Sequence, residues 1–268
     1  MMRFSRSVAI VRRQFYLMRS SPARILSLFA WIGIDMVLWG FMSRYLNSVA
    51  SPGFNFVPAL LGAVLLWDFF MRVMQGVTMA FFEDVWSRNF LNLFASPISI
   101  GEYVFGLVLS AMGTSSVGLV FMLFLAGAVF HLPLAAYGFT LVGFIAVLFL
   151  FGIALGIAAS AMVLRLGPSA EWFVWPIPAI ISPFAGVYYP VSTLPVPMRL
   201  ISHFLPPSYV FEGLRATAKG QPVSLADLTI ALTLAVGYIL LASFIFTRVY
   251  KHALRSGLIA RYSAESLS

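Results

Sequence analysis

EDVWSRNFLNLFASPIS occupies Glu83 to Ser99, between two long apolar runs. It carries three charges, Glu83, Asp84 and Arg88, in a chain that is only 10% charged. At helical spacing Trp86, Phe90, Leu93 and Phe94 share one face, while Glu83, Ser87 and Asn92 point largely elsewhere. The segment therefore reads as a short two-faced helix over 83–95, lying between two membrane crossings. Glu83 and Asp84 fall in its first turn, where carboxylates complement the helix dipole. Ser96-Pro97 ends it, and Glu102 marks the return to apolar sequence.

The flanking runs set the class. The chain has 268 residues, 61% of them hydrophobic, with a mean hydropathy of +0.95. Soluble domains carry roughly a quarter charged residues, so this is an integral membrane protein. Its apolar runs are continuous over helix-spanning lengths and do not alternate in short strands, which excludes a barrel. With no cysteine, there is no disulfide framework and no thiolate metal site.

The net charge of +8 is explained by placement and does not call for nucleic acid. Arg3, Arg6, Arg12, Arg13, Arg19 and Arg24 precede the first apolar run; Arg248, Lys251, Arg255 and Arg261 follow the last. By the positive-inside rule both tails are cytoplasmic, which demands an even number of crossings. Contact with anionic lipid is a secondary use of the same charge. A cleaved signal peptide fits poorly: the apolar run starts near Ile25, contains Asp35 and is followed by no small-residue cleavage site. Residues 3–20 repeat apolar side chains at Phe4, Val8, Val11, Phe15 and Met18, with Arg6 and Arg13 opposite, as expected of a helix lying in the headgroup plane.

Six spans are expected, near 25–46, 57–82, 103–130, 135–163, 172–189 and 226–247, followed by a cytosolic tail over 248–268. Outer loops are then 47–56, a turn at His131 and Pro133, and the segment 190–225; inner loops are 83–102 and 164–171. This arrangement puts about twelve basic residues inside and four outside. Small residues recur four apart at Gly106, Ser110, Thr114 and Gly118, and at Gly152, Gly156 and Ser160, so the third and fourth spans should pack closely on a neighbour, in this chain or in a second copy. Residues 190–225 are too rich in proline for a spanning helix and too apolar for a solvated loop. They read as short helices that dip into the outer leaflet, broken at Pro190, Pro195, Pro197 and Pro206-Pro207.

Chemistry is sparse. A phosphate-cradling loop needs Gly-Lys-Ser/Thr, but Lys219 follows Ala218 and Lys251 follows Tyr250. ATP hydrolysis by that route is excluded. His131, His203 and His252 are scattered without paired metal-ligand spacing, and no Ser-His-Asp or Cys-His arrangement is readable. Three ionisable residues fall inside the spans: Asp35, Asp68 and Arg72. Each needs a partner or a wet cavity, because a charge near the bilayer centre costs about 2.5–3.5 kcal/mol. Asp68 and Arg72 are four apart in the favourable order, and Asp35 lies at similar depth to Arg72 on the first span. The trio is either a polar patch on a translocation path or a structural cluster tying the first two helices together.

Taken together, an interfacial first helix, a two-faced helix between spans two and three, and a proline-broken return before the last span resemble the membrane subunits of ABC type-2 transporters. Two segments carry the match: EDVWSRNFLNLFASPISIGEY, similar to the family's coupling helix, and SPFAGVYYPVSTLPVPMRLISHFLPPSYVFEGLR, similar to its outer motif. The resemblance implies an all-α half-transporter in the cell (inner or plasma) membrane, working as a homodimer or with a related permease. Separate ABC ATPase subunits would bind the ATP and Mg, so no cofactor is expected in this chain. It further implies that Trp86, Phe90 and Phe94 anchor the ATPase and that Glu83, Asp84 and Arg88 orient it. Residues 3–20 and the loop from Arg165 to Glu171 would add contacts. Tyr188, Tyr189, Glu212 and Arg215 become outer-gate candidates. The aromatic outer elements suit an amphipathic cargo, drug-like or lipid-linked, with polysaccharide or lipid-linked glycan as the alternative. A secondary transporter independent of ATP is the reading from another class; its paired broken helices would be expected in both halves, whereas here the broken element occurs once.

Overall fold

The computed structural model describes residues 4–49, 57–87, 89, 93 and 96–256. Helix α1 (Phe4–Arg19) is followed by α2 (Pro22–Val49), and a π-helical turn (Val57–Leu61) runs into α3 (Gly62–Trp86). Next come α4 (Ile100–Phe130), the single turn α5 (Leu134–Tyr137) and α6 (Thr140–Leu166). A 3-10 turn (Pro168–Ala170) leads to α7 (Glu171–Val174) and α8 (Ile177–Ala185); a second (Val191–Thr193) leads to α9 (Val196–Ser202), α10 (Pro206–Ala218) and α11 (Leu225–Arg255). Among the described residues there is no strand, and five helices are long and apolar enough to cross a membrane: α2, α3 with its π turn, α4, α6 and α11.

These five stack in the order α2, α4, α3, α6, α11, each packed most extensively on the next. The most apolar 18-residue window of α3 is 72% buried, against 17% for those of α2 and α11. Helix α3 is thus the core and the two others are rims. Two features of the sequence make this packing possible. A Cβ on Gly156 would stand 2.7 Å from Cβ of Val77 and 2.9 Å from the Met74 carbonyl, and one on Gly152 would stand 2.9 Å from Val73. A Cβ on Gly106 would stand 2.7 Å from Cβ of Ile10 and 3.0 Å from the Ser7 carbonyl. The small-residue rows therefore serve neighbours in this chain: α3 lies against α6, and α1 against α4.

The helix ends follow local chemistry. Ser99 caps α4 in a reciprocal capping box, its hydroxyl accepting from Glu102 N while the Glu102 carboxylate accepts from Ser99 N. Gly167, at φ +102°, closes α6 just before Pro168. Ser224 accepts from Asp227 N at the start of α11.

Several boundaries differ from expectation. Helix α3 does not stop at residue 82 but continues through Trp86, so Glu83 and Asp84 lie in its last turn and not in the first turn of a separate helix. Of the expected 83–95 helix, Arg88, Phe90 and Phe94 lie outside the described residues. The stretch expected to be a single span at 172–189 is divided, because Pro176 and Pro178 break the backbone ladder between α7 and α8. Helix α11 continues to Arg255, taking in the first part of the expected tail 248–268; residues 257–268 lie outside the described residues. On α1 the apolar row does not face the bundle: Phe4 and Phe15 are exposed, while Ser7 and Ile10 are buried against α4.

Candidate functional site

The end of the bundle where α3 stops and α4 begins is held by carboxylates and arginines brought together from distant parts of the sequence. Asp84 is fully buried. Its Oδ2 accepts from the Tyr103 hydroxyl at 2.7 Å, and its Oδ1 accepts from Arg13 Nη2. Burial alone would lower the Arg13 pKa, but the Asp84 hydrogen bond and charge prevail and raise it. Two turns earlier on α1, Arg6 pairs with the Glu102 carboxylate at 3.4 Å, and the Ser7 hydroxyl donates to the Glu102 carbonyl at 3.0 Å. Arg24, at the start of α2, pairs with Glu83 at 2.5 Å. Trp86, half exposed, donates its indole N–H to Glu171 at the start of α7 at 3.0 Å.

Helix α1, the start of α2, the end of α3, the start of α4 and the α7 turn are therefore tied at one end. Arg6 and Arg13, read from periodicity as the outward face of α1, are the groups that face inward. Glu83, Asp84 and Trp86 are partnered within the chain. Sequence reasoning missed Arg13, Tyr103, Glu102 and Arg24 as members of this network. The only signal was that so few acids, nine in all, include two adjacent ones at a helix end.

The intramembrane trio is placed differently. Asp35, Asp68 and Arg72 all lie on the spans expected, but no ion pair within 4.0 Å joins them among the described residues. Arg72 Nη1 makes only a 3.4 Å contact with the Leu28 carbonyl. Arg72 Nε and Asp68 Oδ2 are buried without hydrogen-bond partners. The arrangement is not the closed cluster that satisfying each charge would require.

At the opposite end, the outer-gate candidates form a clamp. Gly186 takes φ +62°, and a Cβ there would meet Val191 Cγ2 at 2.9 Å and the Tyr189 carbonyl at 3.0 Å. Only glycine fits so tight a left-handed turn. Glu212 accepts from Val191 N at 2.6 Å and from Arg215 at 2.9 Å, while Arg215 also reaches the Val187 carbonyl at 3.4 Å. The Tyr189 hydroxyl donates to the Pro183 carbonyl at 2.8 Å. Tyr188 stacks on Trp39 of α2, with centroids 5.4 Å apart and planes at 10°. Helices α8 to α10 are thereby fastened to one another and to α2.

A family model, ABC-2 type transporter, matches residues 7–218, from the first turn of α1 to the last residue of α10. The chain belongs to this family. No curated protein matches it. The region matched holds the Glu212–Arg215 clamp and, Arg6 apart, the arginine–carboxylate network at the other end of the ABC-2 bundle. It identifies the chain as a multi-pass transport component, not itself catalytic, of the ABC transporter class.

Proposed function

We propose that this ABC-2 chain is the membrane-spanning permease of an ATP-driven exporter for an amphipathic molecule. Two such chains, or one with a related permease, enclose the path, and separate ABC ATPases dock at the end that carries the arginine–carboxylate network. That end is cytoplasmic in this reading, with both termini, and the stretch from α7 through α8 completes a sixth crossing. Most of the chain's basic residues lie at this end, as the positive-inside rule asks.

The observation that carries the reading is the mechanical continuity at the α3–α4 elbow. A push on the segment between α3 and α4 reaches three helices through side-chain contacts. It passes into α3 through Asp84 and Glu83, into α4 through the Ser99–Glu102 capping box and Tyr103, and into α1 through Arg13 and Arg6. Helix α3 is the most buried span and packs on both α4 and α6, so its tilt must move its neighbours. ATP binding draws the ATPases together, the elbow follows, and the spans exchange an inward-open for an outward-open packing. Cargo must bind the two states unequally for this cycle to have a direction. The Glu212–Arg215 clamp, which fastens the proline-broken helices at the far end, gives those helices a common body that can swing as a gate.

The test is co-purification from the native membrane. The unsubstituted chain should retain an ATPase bearing a Gly-Lys-Ser/Thr loop, and Trp86→Ala should lose it while the permease assembly persists. Export by purified chain on an ion gradient alone, with no ATPase present, would overturn the reading in favour of a secondary transporter.

A further inference from the structure

Between α2, α3 and α4 the bundle leaves a cleft of about 310 Å³ with an unusual lining for a membrane interior. Its walls carry Arg72 and Gln75 from α3, Ser27 and Trp31 from α2, and Thr114 and Ser115 from α4. Arg24 stands at the end nearer α1 but is already paired with Glu83. Among the described residues Arg72 has no ion pair: its Nε is buried without a hydrogen-bond partner, and its Nη1 has one long contact to a backbone carbonyl. The Gln75 amide makes no side-chain hydrogen bond among the described residues. Thr114 and Ser115 close their hydroxyl protons onto the Ala111 carbonyl, at 3.2 Å and 2.6 Å, and each can turn toward a ligand instead.

An intramembrane cation is expensive unless something answers it. Asp68, one turn away on α3, and Asp35, on α2, act on it only through space, since neither reaches ion-pair distance or lines the cleft. What the cleft lacks is an acceptor carrying negative charge, placed where a guanidinium N–H, an amide and two hydroxyls converge. The rest of the wall is apolar: Leu28, Met79 and the ring of Trp31, which is 63% exposed. A charged head on an apolar body matches both halves.

We propose that this cleft binds the anionic head group, phosphate or carboxylate, of an amphipathic molecule. Arg72 supplies the counter-charge, Gln75 a neutral donor, and Leu28, Trp31 and Met79 the surface for the apolar portion. The binding stands on the cleft alone; that the molecule is cargo rests on the exporter reading above. The same chemistry is offered by the head group of a bilayer phospholipid, and the experiment separates the two.

The full chain is reconstituted in phosphatidylcholine nanodiscs and titrated with dodecyl phosphate carrying a brominated chain. The readout is the quenching due to Trp31, taken as the difference between the chain and Trp31→Phe. The control ligand is dodecyl maltoside with the same brominated chain. The phosphate should quench at about tenfold lower concentration than the maltoside, the effect of one charge-assisted contact. Arg72→Gln should abolish that preference, and Gln75→Leu should weaken it by about threefold, as for a neutral hydrogen bond. If Arg72→Gln does not fold, the preference in the unsubstituted chain and its weakening by about threefold in Gln75→Leu decide the matter. Phosphatidylglycerol added to the disc separates the sources: competition with dodecyl phosphate assigns the site to bilayer lipid, and persistence of dodecyl phosphate binding assigns it to a separate cargo. Equal quenching by phosphate and maltoside, or a preference unchanged in folded Arg72→Gln, overturns the proposal. Neither result depends on an ATPase, so a chain that keeps its ATPase but shows no anion preference refutes this site alone. A chain that shows the anion preference but co-purifies with no ATPase from its native membrane refutes the exporter reading alone.

Discussion

Replacing Arg13 by Gln strips the buried Asp84 carboxylate of its counter-ion while leaving its Tyr103 hydrogen bond in place. Breaking a buried pair by removing one partner costs about 3–5 kcal/mol, because the remaining charge stays desolvated. The Arg13 side chain retains 28% exposure against 1% for Asp84, so water partly screens the cation side and the low end, about 3 kcal/mol, is expected. Asp84→Asn alone should cost less, about 1–2 kcal/mol, because the arginine it releases can turn toward solvent. In the double variant no charge is left buried without a partner. The two losses should therefore fall short of additivity by about 1.5 kcal/mol or more. Tyr103→Phe, which removes one hydrogen bond to a charged acceptor, adds about 1.5–3 kcal/mol by itself. The assay is reversible unfolding in mixed detergent micelles followed by tryptophan fluorescence, with ATP-driven export measured in parallel in proteoliposomes. Export should fall in Arg13→Gln even at temperatures where the chain stays folded, since α1 is no longer fastened to the elbow. Strict additivity of the two substitutions, or an Arg13→Gln cost under about 0.5 kcal/mol, would refute the claim that this pair ties α1 to the bundle.

Gly156→Ala should destabilise the chain by about 1–3 kcal/mol by the same unfolding assay, because the new methyl meets the Met74 carbonyl at 2.9 Å and backbone cannot step aside. Gly113→Ala, where a Cβ meets nothing within 4 Å, should be neutral or mildly stabilising by about 0.5–1 kcal/mol. Asp68→Asn should leave stability unchanged within about 1 kcal/mol, because its buried Oδ2 has no partner to lose; a loss of about 3–5 kcal/mol would instead show that it is one half of a structural pair with Arg72. Gly186→Ala should cost about 1–2 kcal/mol for the left-handed backbone alone and should loosen the outer clamp, seen as faster proteolysis between residues 186 and 196.

The long helices were legible because membrane-spanning sequence must satisfy every backbone group internally. Continuous apolar runs therefore map onto α2, α3, α4, α6 and α11. The prolines of 190–225 likewise marked the breaks before α9 and α10, since proline is tolerated at a first helical turn and not inside one. What failed was the reading of charge near helix ends. Glu83 and Asp84 look like the start of a loop, but α3 carries them inside because Arg24 and Arg13, 59 and 71 residues away, answer them. Such pairing is set by which helices meet, and no local period encodes it. The same limit hid Tyr103, an apolar-looking residue whose hydroxyl completes the Asp84 site. The trio Asp35, Asp68 and Arg72 lies on the two helices expected, α2 and α3. Spacing along a helix, however, does not fix whether side chains four apart reach each other, and here they do not. Periodicity on α1 found the apolar row but not which neighbour its other face meets.

The central claim is that the α3–α4 elbow faces the cytoplasm and is gripped there by a nucleotide-hydrolysing partner. The chain contains no cysteine, and Ser87 is exposed just beyond the end of α3, so Ser87→Cys gives a single thiol for a membrane-impermeant maleimide. No labelling is expected in intact cells, full labelling in inverted vesicles stripped of peripheral protein, and protection when the co-purified ATPase is added back. Labelling of intact cells, or unchanged labelling of inverted vesicles with the ATPase bound, would contradict it.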